Sequence, residues 1–396
     1  MINIQTLKGF RDFLPQEAKK REYVLNTLKK VFESYGFEPL ETPSLEYEEV
    51  LTGKYGDEGE KLMYKFLDNG KRKVALRYDQ TVPLARVVAQ YQNEITFPFK
   101  RYQMQNVWRA ENTQKGRYRE FLQVDADIVG VYSPLADAEI ISLAQDAVKN
   151  LGFKNVVLYI NDRRVFSELQ QEYITTLDKL EKVGRENVLK ELTQKGLSEK
   201  DALDMLSKIE TTELPDYLNE LFKVLKKKNN ESLEIKFKPT LARGLNYYTG
   251  AVFELSVAGL NLGSIGGGGR YDDLIGIFAG RDIPAVGFSF GFDRLMEAME
   301  ELDLFPKNLK TKDVFVAFSS SDLQEKALEI TTRLRENKIN AQYYLEDAPL
   351  EKQLKYADKK MLPYCVIVEG KNLVLKNMEK RTQENLSLEE LIKRLK

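Results

Sequence analysis

Residues 97–132 read FPFKRYQMQNVWRAENTQKGRYREFLQVDADIVGVY. The segments FPFKRYQMQNVWRAE and REFLQVDADIVGVY predict two strands, and the polar, basic segment NTQKGRY joins them. Basic side chains cluster in and beside this connection: Arg109, Lys115, Arg117 and Arg119. Because a planar guanidinium group can bind phosphate through two hydrogen bonds, the loop is a candidate nucleotide site, with Glu111 beside it. A solvated basic hairpin is the alternative for this loop taken alone.

Regular patterns flank the strand pair on both sides. Apolar residues recur at helical spacing over residues 15–35, and a second helix is predicted over 134–151. The DNG sequence in KLMYKFLDNGKRKVALRYD predicts a β-hairpin. Residues 163–232 are charged and poor in strand patterns, which predicts helices, and strands then resume before a helix at about 290–302. We therefore expect an α+β core whose mixed, largely antiparallel sheet is interrupted by a helical insertion.

The C-terminal part of the chain has a different pattern. After a linker near residues 303–312, strand and helix patterns alternate, which is typical of a small α/β domain with its own sheet. Ser387 and Glu390 fit a capping box at the start of a last helix. Cys365 lies in the apolar run YCVIV and is expected to be buried.

The net charge of −1 gives no overall signature of nucleic-acid binding, but a local basic patch is sufficient for phosphate contacts. The predicted helix LEKQLKYADKK places Lys352, Lys355 and Lys359 at spacings of three and four, on one face. Such a row suits a phosphate backbone, and a solvated helix face is the alternative.

The chain contains no histidine and a single cysteine. The commonest general base is therefore missing, as are the usual Ser-His-Asp and Cys-His nucleophile systems and zinc sites built on Cys and His. No apolar run reaches the ~18–20 residues that cross a bilayer, and the N-terminal segment has no signal-peptide pattern, so we expect a cytoplasmic protein. Any chemistry must use carboxylates, arginines, hydroxyls, backbone groups or the substrate itself.

Three further motifs carry candidate ligand-binding residues. In LARGLNYYTGAVFE, Arg243 precedes two tyrosines, and strand alternation predicts that only one of Tyr247 and Tyr248 faces any given pocket. In GSIGGGGRYDDL, four consecutive glycines precede Arg270, and no Gly-Lys-Ser/Thr follows as in a P-loop. Glycines within a strand often mark a place where a ligand approaches the backbone. In AVGFSFGFDRL, Arg294 lies at the start of a helix.

Together and in this order, these segments resemble motifs 1, 2 and 3 of the class II aminoacyl-tRNA synthetases. Motif 1 is represented by the N-terminal helix that ends in YGFEPLETPSLE, motif 2 by the arginine-bearing strand pair, and motif 3 by AVGFSFGFDRL. LARGLNYYTGAVFE and GGGGRYDDL resemble the two signature motifs of the histidyl-tRNA synthetases, and LRYDQTVPLAR and KGRYREFLQVDADIVG are similar to the same family. The sequences of these segments are closer to those of the archaeal and eukaryotic branch of the family. The resemblance covers nearly the whole chain.

The resemblance implies a fold, an activity and partners. The implied fold is a class II antiparallel catalytic core over 1–162 and 233–305, a helical insertion over 163–232 and an α/β anticodon-binding domain over 312–396. The implied activity is ATP-dependent ligation of L-histidine to tRNA(His) through a histidyl-adenylate. ATP is then a substrate that arrives with Mg²⁺, no metal is held by protein His or Cys, and the enzyme is a homodimer without membrane association.

The resemblance also implies roles for individual residues in the histidine pocket. These residues are Asp79, Thr81, Gln123, Asp127, Tyr248 and Tyr271. Asp127 and Tyr248 match positions that read the imidazole, and Tyr271 belongs to the same pocket. The other three match positions that hold the α-amino group of the substrate.

The implied ATP and tRNA contacts lie elsewhere in the sequence. Arg109 and Arg243 match the catalytic arginines at the α-phosphate, Arg294 matches the arginine at the far phosphates, and Glu111 matches a residue at the adenine. Contacts with tRNA are assigned to the following residues: Gln114, Lys352, Lys355 and Lys359.

Two departures and two alternatives accompany this interpretation. Asn246 stands where the family usually has Asp, next to Arg243, and is expected to weaken catalysis; Ala110 stands where an aromatic or charged residue is common. A non-catalytic relative, such as the regulatory subunit of ATP phosphoribosyltransferase, is one alternative, although such relatives usually lack the anticodon domain. A tRNA-binding module with a decayed site is the other, and the retained Arg109, Arg243 and Arg294 argue against it.

Overall fold

The two strands predicted from residues 97–132 form the centre of a large sheet. In the computed structural model they run from Phe99 to Trp108 and from Glu120 to Val129, as an antiparallel pair. The structure describes residues 2–114, 116–226, 233–243, 247–306, 309 and 313–396. The chain divides into two compact units, Met1–Leu304 and Phe305–Lys396.

The strands of the first unit are β1 (Glu38–Pro39), β2 (Leu45–Tyr47), β3 (Lys65–Leu67), β4 (Lys73–Leu76), β5 (Phe99–Trp108), β6 (Glu120–Val129), β7 (Val156–Asp162), β8 (Leu233–Phe237), β9 (Ala251–Val257), β10 (Ser264–Arg270) and β11 (Ala285–Gly291). Its helices are α1 (Pro15–Ser34), α2 (Glu48–Leu51), α3 (Gly56–Lys61), α4 (Thr81–Gln90), α5 (Pro134–Asn150), α6 (Gln171–Leu177), α7 (Leu180–Val183), α8 (Arg185–Gln194), α9 (Glu199–Glu210), α10 (Asp216–Lys226), α11 (Gly276–Ala279) and α12 (Phe292–Glu301).

Among the described residues, eight strands form the main sheet in the order β1-β5-β6-β11-β10-β9-β7-β8. The pairs β1–β5 and β7–β8 are parallel, and the other neighbours are antiparallel, which confirms a mixed, largely antiparallel core. A smaller sheet, β2-β4-β3, contains the predicted DNG hairpin between β3 and β4. The strands and the hairpin could be predicted because their sequence patterns depend on residues that are close together in the chain.

The predicted helices of the first unit are present with nearly the predicted bounds. Pro15 begins α1, where its missing N–H removes no helical hydrogen bond, and the helix buries Val24, Leu28 and Phe32. Ser133 caps α5 by accepting the N–H of Leu135. Helices α6 to α10 follow β7; α6 to α9 pack around one apolar cluster, and α10 packs against α5. The domain boundaries predicted at 163 and 232 stay a prediction, and residues 227–232 lie outside the described part.

The second unit contains the strands β12 (Val314–Phe318), β13 (Ala341–Tyr343), β14 (Tyr364–Glu369), β15 (Asn372–Asn377) and β16 (Thr382–Leu386), and the helices α13 (Gln324–Glu336), α14 (Leu350–Lys359) and α15 (Leu388–Leu395). Its described strands form a sheet in the order β13-β12-β14-β15-β16, with β12 parallel to β13 and β14. The capping box of Ser387 and Glu390 is confirmed. The hairpin β15–β16 was not predicted.

The single cysteine and the lengths of the helices can also be compared with the sequence. Cys365 is buried on β14, as predicted, and burial raises the pKa of its thiol to about 12. No helix in the described ranges combines the length and apolar character needed to cross a membrane.

Candidate active site

A cavity of about 890 Å³ lies over the main sheet and is lined from β6, β9, β10 and β11. The residues predicted to bind histidine or ATP all line this cavity: Asp79, Thr81, Arg109, Glu111, Gln123, Asp127, Arg243, Tyr248, Tyr271 and Arg294. Segments that are far apart in the sequence are thus brought to one place by the strand order. The roles assigned to these residues stay predictions.

Glycines on β10 and β11 make room for functional side chains. A Cβ atom at Gly287 would lie 1.8 Å from Asp127 Oδ1, and one at Gly267 would lie 2.3 Å from Arg243 Nη1. Real Cβ contacts are never this short, so any other residue would displace the aspartate or the arginine. The glycine run that the sequence offers as a ligand-approach site also accommodates the side chains of the site itself.

Asp127 is held by two partners in the sheet interior. It lies opposite Arg101 on β5, and Arg101 Nη2 is 2.7 Å from Asp127 Oδ2, with side chains 0% and 5% exposed. Tyr271 donates its hydroxyl to Asp127 Oδ1 at 2.5 Å. Burial raises the pKa of the Asp127 carboxyl, and Arg101 and Tyr271 oppose that shift. The carboxylate is therefore fixed in one orientation at one end of the cavity.

Asp79 stabilises the start of α4. Its Oδ1 accepts the backbone N–H groups of Thr81 and Val82, both at 3.1 Å, and the hydroxyl of Tyr55 at 2.9 Å. The hydroxyl of Tyr247 is 3.4 Å from its Oδ2. Burial raises the pKa of the Asp79 carboxyl, and these hydrogen bonds oppose the shift. Asp79 therefore orients the Thr81 end of the helix toward the cavity.

Arg109 follows β5 and lies near two aromatic rings. Its Nε donates to the carbonyl of Tyr78 at 3.0 Å, and its Nη2 lies 3.4 Å from Gln123 Oε1. Its guanidinium carbon is 4.4 Å from the ring centre of Tyr78 and 5.2 Å from that of Phe121. The hydrogen bonds and cation–π contacts hold the guanidinium group in place, which suits directed binding of phosphate.

Arg243 lies on the β9–β10 side of the cavity with a left-handed backbone at φ 52°. This conformation is uncommon for a residue with a Cβ and typically persists only where the surroundings hold it. Arg243 Nη1 is 3.4 Å from Glu254 Oε2, and the guanidinium is 5.9 Å from the ring centre of Tyr248. Asn246, the predicted cause of weakened catalysis beside Arg243, lies outside the described residues.

The loop after Arg109 brings further charges to the cavity. Arg117 Nη1 is 3.1 Å from Glu111 Oε2, and the Gln114–Arg117 bridge closes the hairpin tip, while Lys115 lies outside the described residues. Arg294, at the start of α12, donates to the carbonyl of Ser264 at 3.1 Å. Burial lowers the pKa of Arg294, and the nearby positive charge of Arg117 lowers it further.

Several lining residues were not identified from the sequence. Asp125 and Tyr247 line the cavity, and Arg101 forms an ion pair with the lining residue Asp127. The expectation that only one of Tyr247 and Tyr248 faces a pocket is wrong, because both line this cavity, with ring centres 5.0 Å apart. Both tyrosines precede β9, which begins at Ala251, so strand alternation does not apply to them.

The residues predicted to contact tRNA do not line this cavity. Gln114 is exposed at the hairpin tip. Lys352, Lys355 and Lys359 are exposed on α14 in the second unit. Lys352 and Lys355 have acidic neighbours at 3.4 Å and 2.8 Å, so part of the positive charge of this face is offset.

Comparisons with known proteins bear on the identity of this arrangement. The histidyl-tRNA synthetase family model matches residues 9–295, and the anticodon binding domain model matches residues 313–396. The chain belongs to the histidyl-tRNA synthetase family.

Individual members of the family match over their full length. A histidine–tRNA ligase of Christiangramia forsetii is 40% identical, with 98% of each chain covered, and one of Cytophaga hutchinsonii is 38% identical with the same coverage. The crystal structure of histidyl-tRNA synthetase from Nostoc sp. PCC 7120 superposes with a TM-score of 0.82 at 30% identity over 100% of both chains. The class II fold with a C-terminal anticodon-binding domain is thereby confirmed.

The buried ion pair gives a first prediction. We expect Arg101→Met to destabilise the fold by about 3–5 kcal/mol at pH 8, because Asp127 stays buried without its cation. Arg101 lowers the pKa of Asp127, so its removal raises that pKa further. The folded variant then takes up a proton as the pH falls, so the penalty should shrink between pH 8 and pH 5. Urea unfolding at both pH values measures this.

The matched control is Arg72→Met, which breaks an arginine–aspartate pair whose arginine side chain is 62% exposed. It should change stability little at either pH, because exposed ion pairs are screened by water. Equal destabilisation of Arg101→Met at pH 5 and pH 8 would show that the loss is one of packing and not of charge.

Proposed function

We infer that this chain is a histidine–tRNA ligase, which activates L-histidine with ATP and transfers the histidyl group to tRNA. One observation carries this conclusion. A single cavity combines a buried carboxylate–tyrosine pair at one end with Arg109, Arg243 and Arg294 around its remainder. The first group can hydrogen-bond an imidazole ring, and the second can bind a triphosphate.

The activation step suits a site without histidine. The carboxylate of the amino acid attacks the α-phosphate of ATP, the bond to the β-phosphate oxygen breaks, and pyrophosphate leaves. The attacking carboxylate is already ionised at neutral pH, so the step needs positioning and positive charge and no protein base. Arg109 and Arg243 supply that charge at the α-phosphate in this proposal, and Arg294 binds the far phosphates. Glu111 lies on the adenine side.

Recognition of histidine uses the opposite end of the cavity. Asp127 accepts a hydrogen bond from an imidazole N–H, and Tyr248 and Tyr271 provide hydroxyl groups to the ring. A site built to pair both ring nitrogens rejects analogues that leave its buried groups unpaired. Thr81 and Gln123 hold the α-amino group, with Asp79 orienting the helix end that carries Thr81. The adenylate then passes its histidyl group to the terminal ribose of tRNA.

Mg²⁺ enters with ATP in this proposal. It prefers oxygen ligands and is usually held by one or two carboxylates together with phosphate oxygens and water. Glu254 lines the same cavity as the three arginines and provides a carboxylate of that kind, so the residues present fit the ion. When bound, the ion would neutralise charge on the phosphates.

The second unit binds tRNA in this proposal, with Lys352, Lys355 and Lys359 contacting the phosphate backbone. Gln114, at the exposed tip of the β5–β6 loop, contacts the acceptor end. The relatives named above carry the ligase name over their whole length, and the anticodon binding domain spans 313–396. Both facts favour the ligase over a regulatory paralogue.

The enzyme is a cytoplasmic homodimer in this proposal. Apolar side chains stand exposed on the small sheet that follows α1: Leu45, Tyr47, Phe66 and Leu67, at 43–62% exposure. A two-fold contact would bury them, because an isologous interface joins the same patch of each subunit. Sedimentation equilibrium over a wide concentration range should give a dimer. A fully active monomer would contradict the assignment.

One experiment tests the function itself. The purified chain should exchange pyrophosphate into ATP only when L-histidine is present, and should charge tRNA(His) with histidine. A regulatory paralogue would bind histidine and show neither reaction, whereas a tRNA-binding module would bind tRNA alone.

The catalytic arginines give a second prediction. Arg243→Ala should lower the rate of adenylation about a hundredfold or more, because loss of one preorganised donor costs roughly 3 kcal/mol of transition-state stabilisation. Arg243→Lys should restore only part of the rate, since the guanidinium fork is lost. Arg281→Ala, at an exposed arginine, is the control and should be unaffected. A near-normal rate for Arg243→Ala would exclude Arg243 from the mechanism.

The lysine row gives a third prediction. Replacing Lys352, Lys355 and Lys359 together with alanine should weaken tRNA binding and reduce its dependence on salt. The slope should fall by somewhat under one log unit per log unit of salt for each lysine that contacts a phosphate. Histidine-dependent pyrophosphate exchange should remain, because these residues do not line the cavity.

The matched control makes the same change in net charge at other exposed lysines of the second unit: Lys371, Lys380 and Lys393. It should leave the slope nearly unchanged. Equal effects of the two triple variants would show that overall charge, and not a phosphate contact on α14, governs tRNA binding.

A further inference from the structure

Asp125 occupies the middle of the strand face that lines the cavity. Residues two apart on a strand point the same way, and Gln123, Asp125 and Asp127 of β6 all line the cavity. Asp125 is 2% exposed to solvent. It lies between the carboxylate assigned to the imidazole and the glutamine that approaches Arg109.

The hydrogen bonds of Asp125 leave one of its oxygens without a well-aligned donor. Gln123 Nε2 donates to Oδ2 at 2.8 Å. Oδ1 is buried and no described residue meets it in full hydrogen-bond geometry, although the hydroxyl of Ser289, opposite on β11, interacts with the carboxyl and lowers its pKa. A buried carboxylate oxygen without a well-aligned donor is costly, so its position at the wall of a ligand cavity indicates that a ligand supplies the donor.

The charged groups around Asp125 satisfy it only in part, because Arg101 lowers the pKa of Asp125 but pairs directly with Asp127. Arg101 approaches from β5, but its Nη2 is 2.7 Å from Asp127 on the same strand as Asp125. Asp127 repels a second negative charge, and Gln123 and Ser289 are neutral. Burial is the largest of the influences that raise the pKa of Asp125 to about 7.

Asp79, the other carboxylate assigned to the amino group, is already engaged. Its Oδ1 accepts three hydrogen bonds, two of them from the first turn of α4. Its other oxygen lies 3.4 Å from the hydroxyl of Tyr247. Asp79 therefore has less capacity left for a ligand than Asp125 has.

We propose that Asp125 is the counter-ion of the α-ammonium group of the amino-acid substrate. The proposal rests on the function inferred above and adds a specificity-determining residue to its site. An α-amino acid carries its carboxylate and its ammonium group on the same carbon, so a substrate with its ring at Asp127 and its carboxylate near Arg109 has its ammonium group beside that carboxylate, within reach of Asp125. Asp125 lies about 6.8 Å along the strand from Asp127 and the same distance from Gln123.

A ligand without the amino group tests the assignment. Binding of L-histidine and of 3-(imidazol-4-yl)propionate, the des-amino analogue, is measured by calorimetry at pH 8. Asp125→Asn keeps the shape and can still accept from Gln123, but it lacks the charge. It should bind L-histidine about 10- to 100-fold more weakly and the analogue as well as the wild type does. Asp127→Asn should weaken both ligands, because both contain the ring.

Proton release supplies a second readout, which a purely structural role would not change. Near pH 7 Asp125 is partly protonated, and an ammonium group stabilises its ionised form, so binding should expel a proton. Calorimetry in buffers of different ionisation enthalpy measures this. Wild type should release more protons with L-histidine than with the analogue, and Asp125→Asn should abolish the difference. The exposed Asp273→Asn is the control and should behave as wild type.

The outcomes separate this proposal from the function on which it rests. Selective loss of L-histidine binding in Asp125→Asn supports it. An unchanged ratio of the two affinities, or equal loss of both ligands, overturns it while wild-type pyrophosphate exchange upholds the ligase. Absence of histidine-dependent exchange in the wild type would instead remove the proposed function, and the counter-ion proposal with it.

Discussion

The buried ion pair between Arg101 and Asp127 is the interaction on which the catalytic unit depends. Two charges taken out of water are stable only when they meet in a fixed geometry, and here they are direct partners across β5 and β6. A slip of one residue in this ladder would turn Asp127 away from the cavity and separate the charges. The same register brings Gln123 and Asp125 to the cavity face. The ion pair therefore fixes the register that places Gln123, Asp125 and Asp127 along the cavity wall.

The space around these charges is provided by backbone and not by small side chains. Gly287 leaves room for the Asp127 carboxylate, and Gly267 leaves room for the Arg243 guanidinium. A methyl group at either position would overlap a functional atom, so the sheet holds its charged side chains against bare backbone. Arg243 itself has a left-handed conformation, which its surroundings must maintain. The strand glycines and the left-handed backbone of Arg243 thus belong to the same packing of charged side chains against the sheet.

Local patterns explain what could be predicted from the sequence. Helix α1 and the DNG hairpin depend on neighbours within a few residues, and the resemblance of ordered motifs identified ten residues that one cavity unites. Arg101 could not be identified, because Arg101 and Gln103 alternate along β5 in a pattern that also fits a solvent-exposed face. Their burial depends on β6, which is distant in sequence. Tyr248 and Tyr247 both line the cavity, and Tyr247 was excluded by a strand rule that does not hold before Ala251.

The arrangement of charge along β6 also explains how a site without histidine can orient its substrate. Histidine carries its carboxylate and its ammonium group on the same carbon, and its ring, with a further hydrogen-bond donor, lies at the other end. The cavity places positive charge beside Gln123, through Arg109, and carboxylates at Asp125 and Asp127. A reversed substrate would set its carboxylate against two buried acids, which the low dielectric of the interior makes costly. In the proposed function, binding in the productive direction follows from the order of three residues on one strand, and the carboxylate that attacks ATP reaches the arginines already ionised.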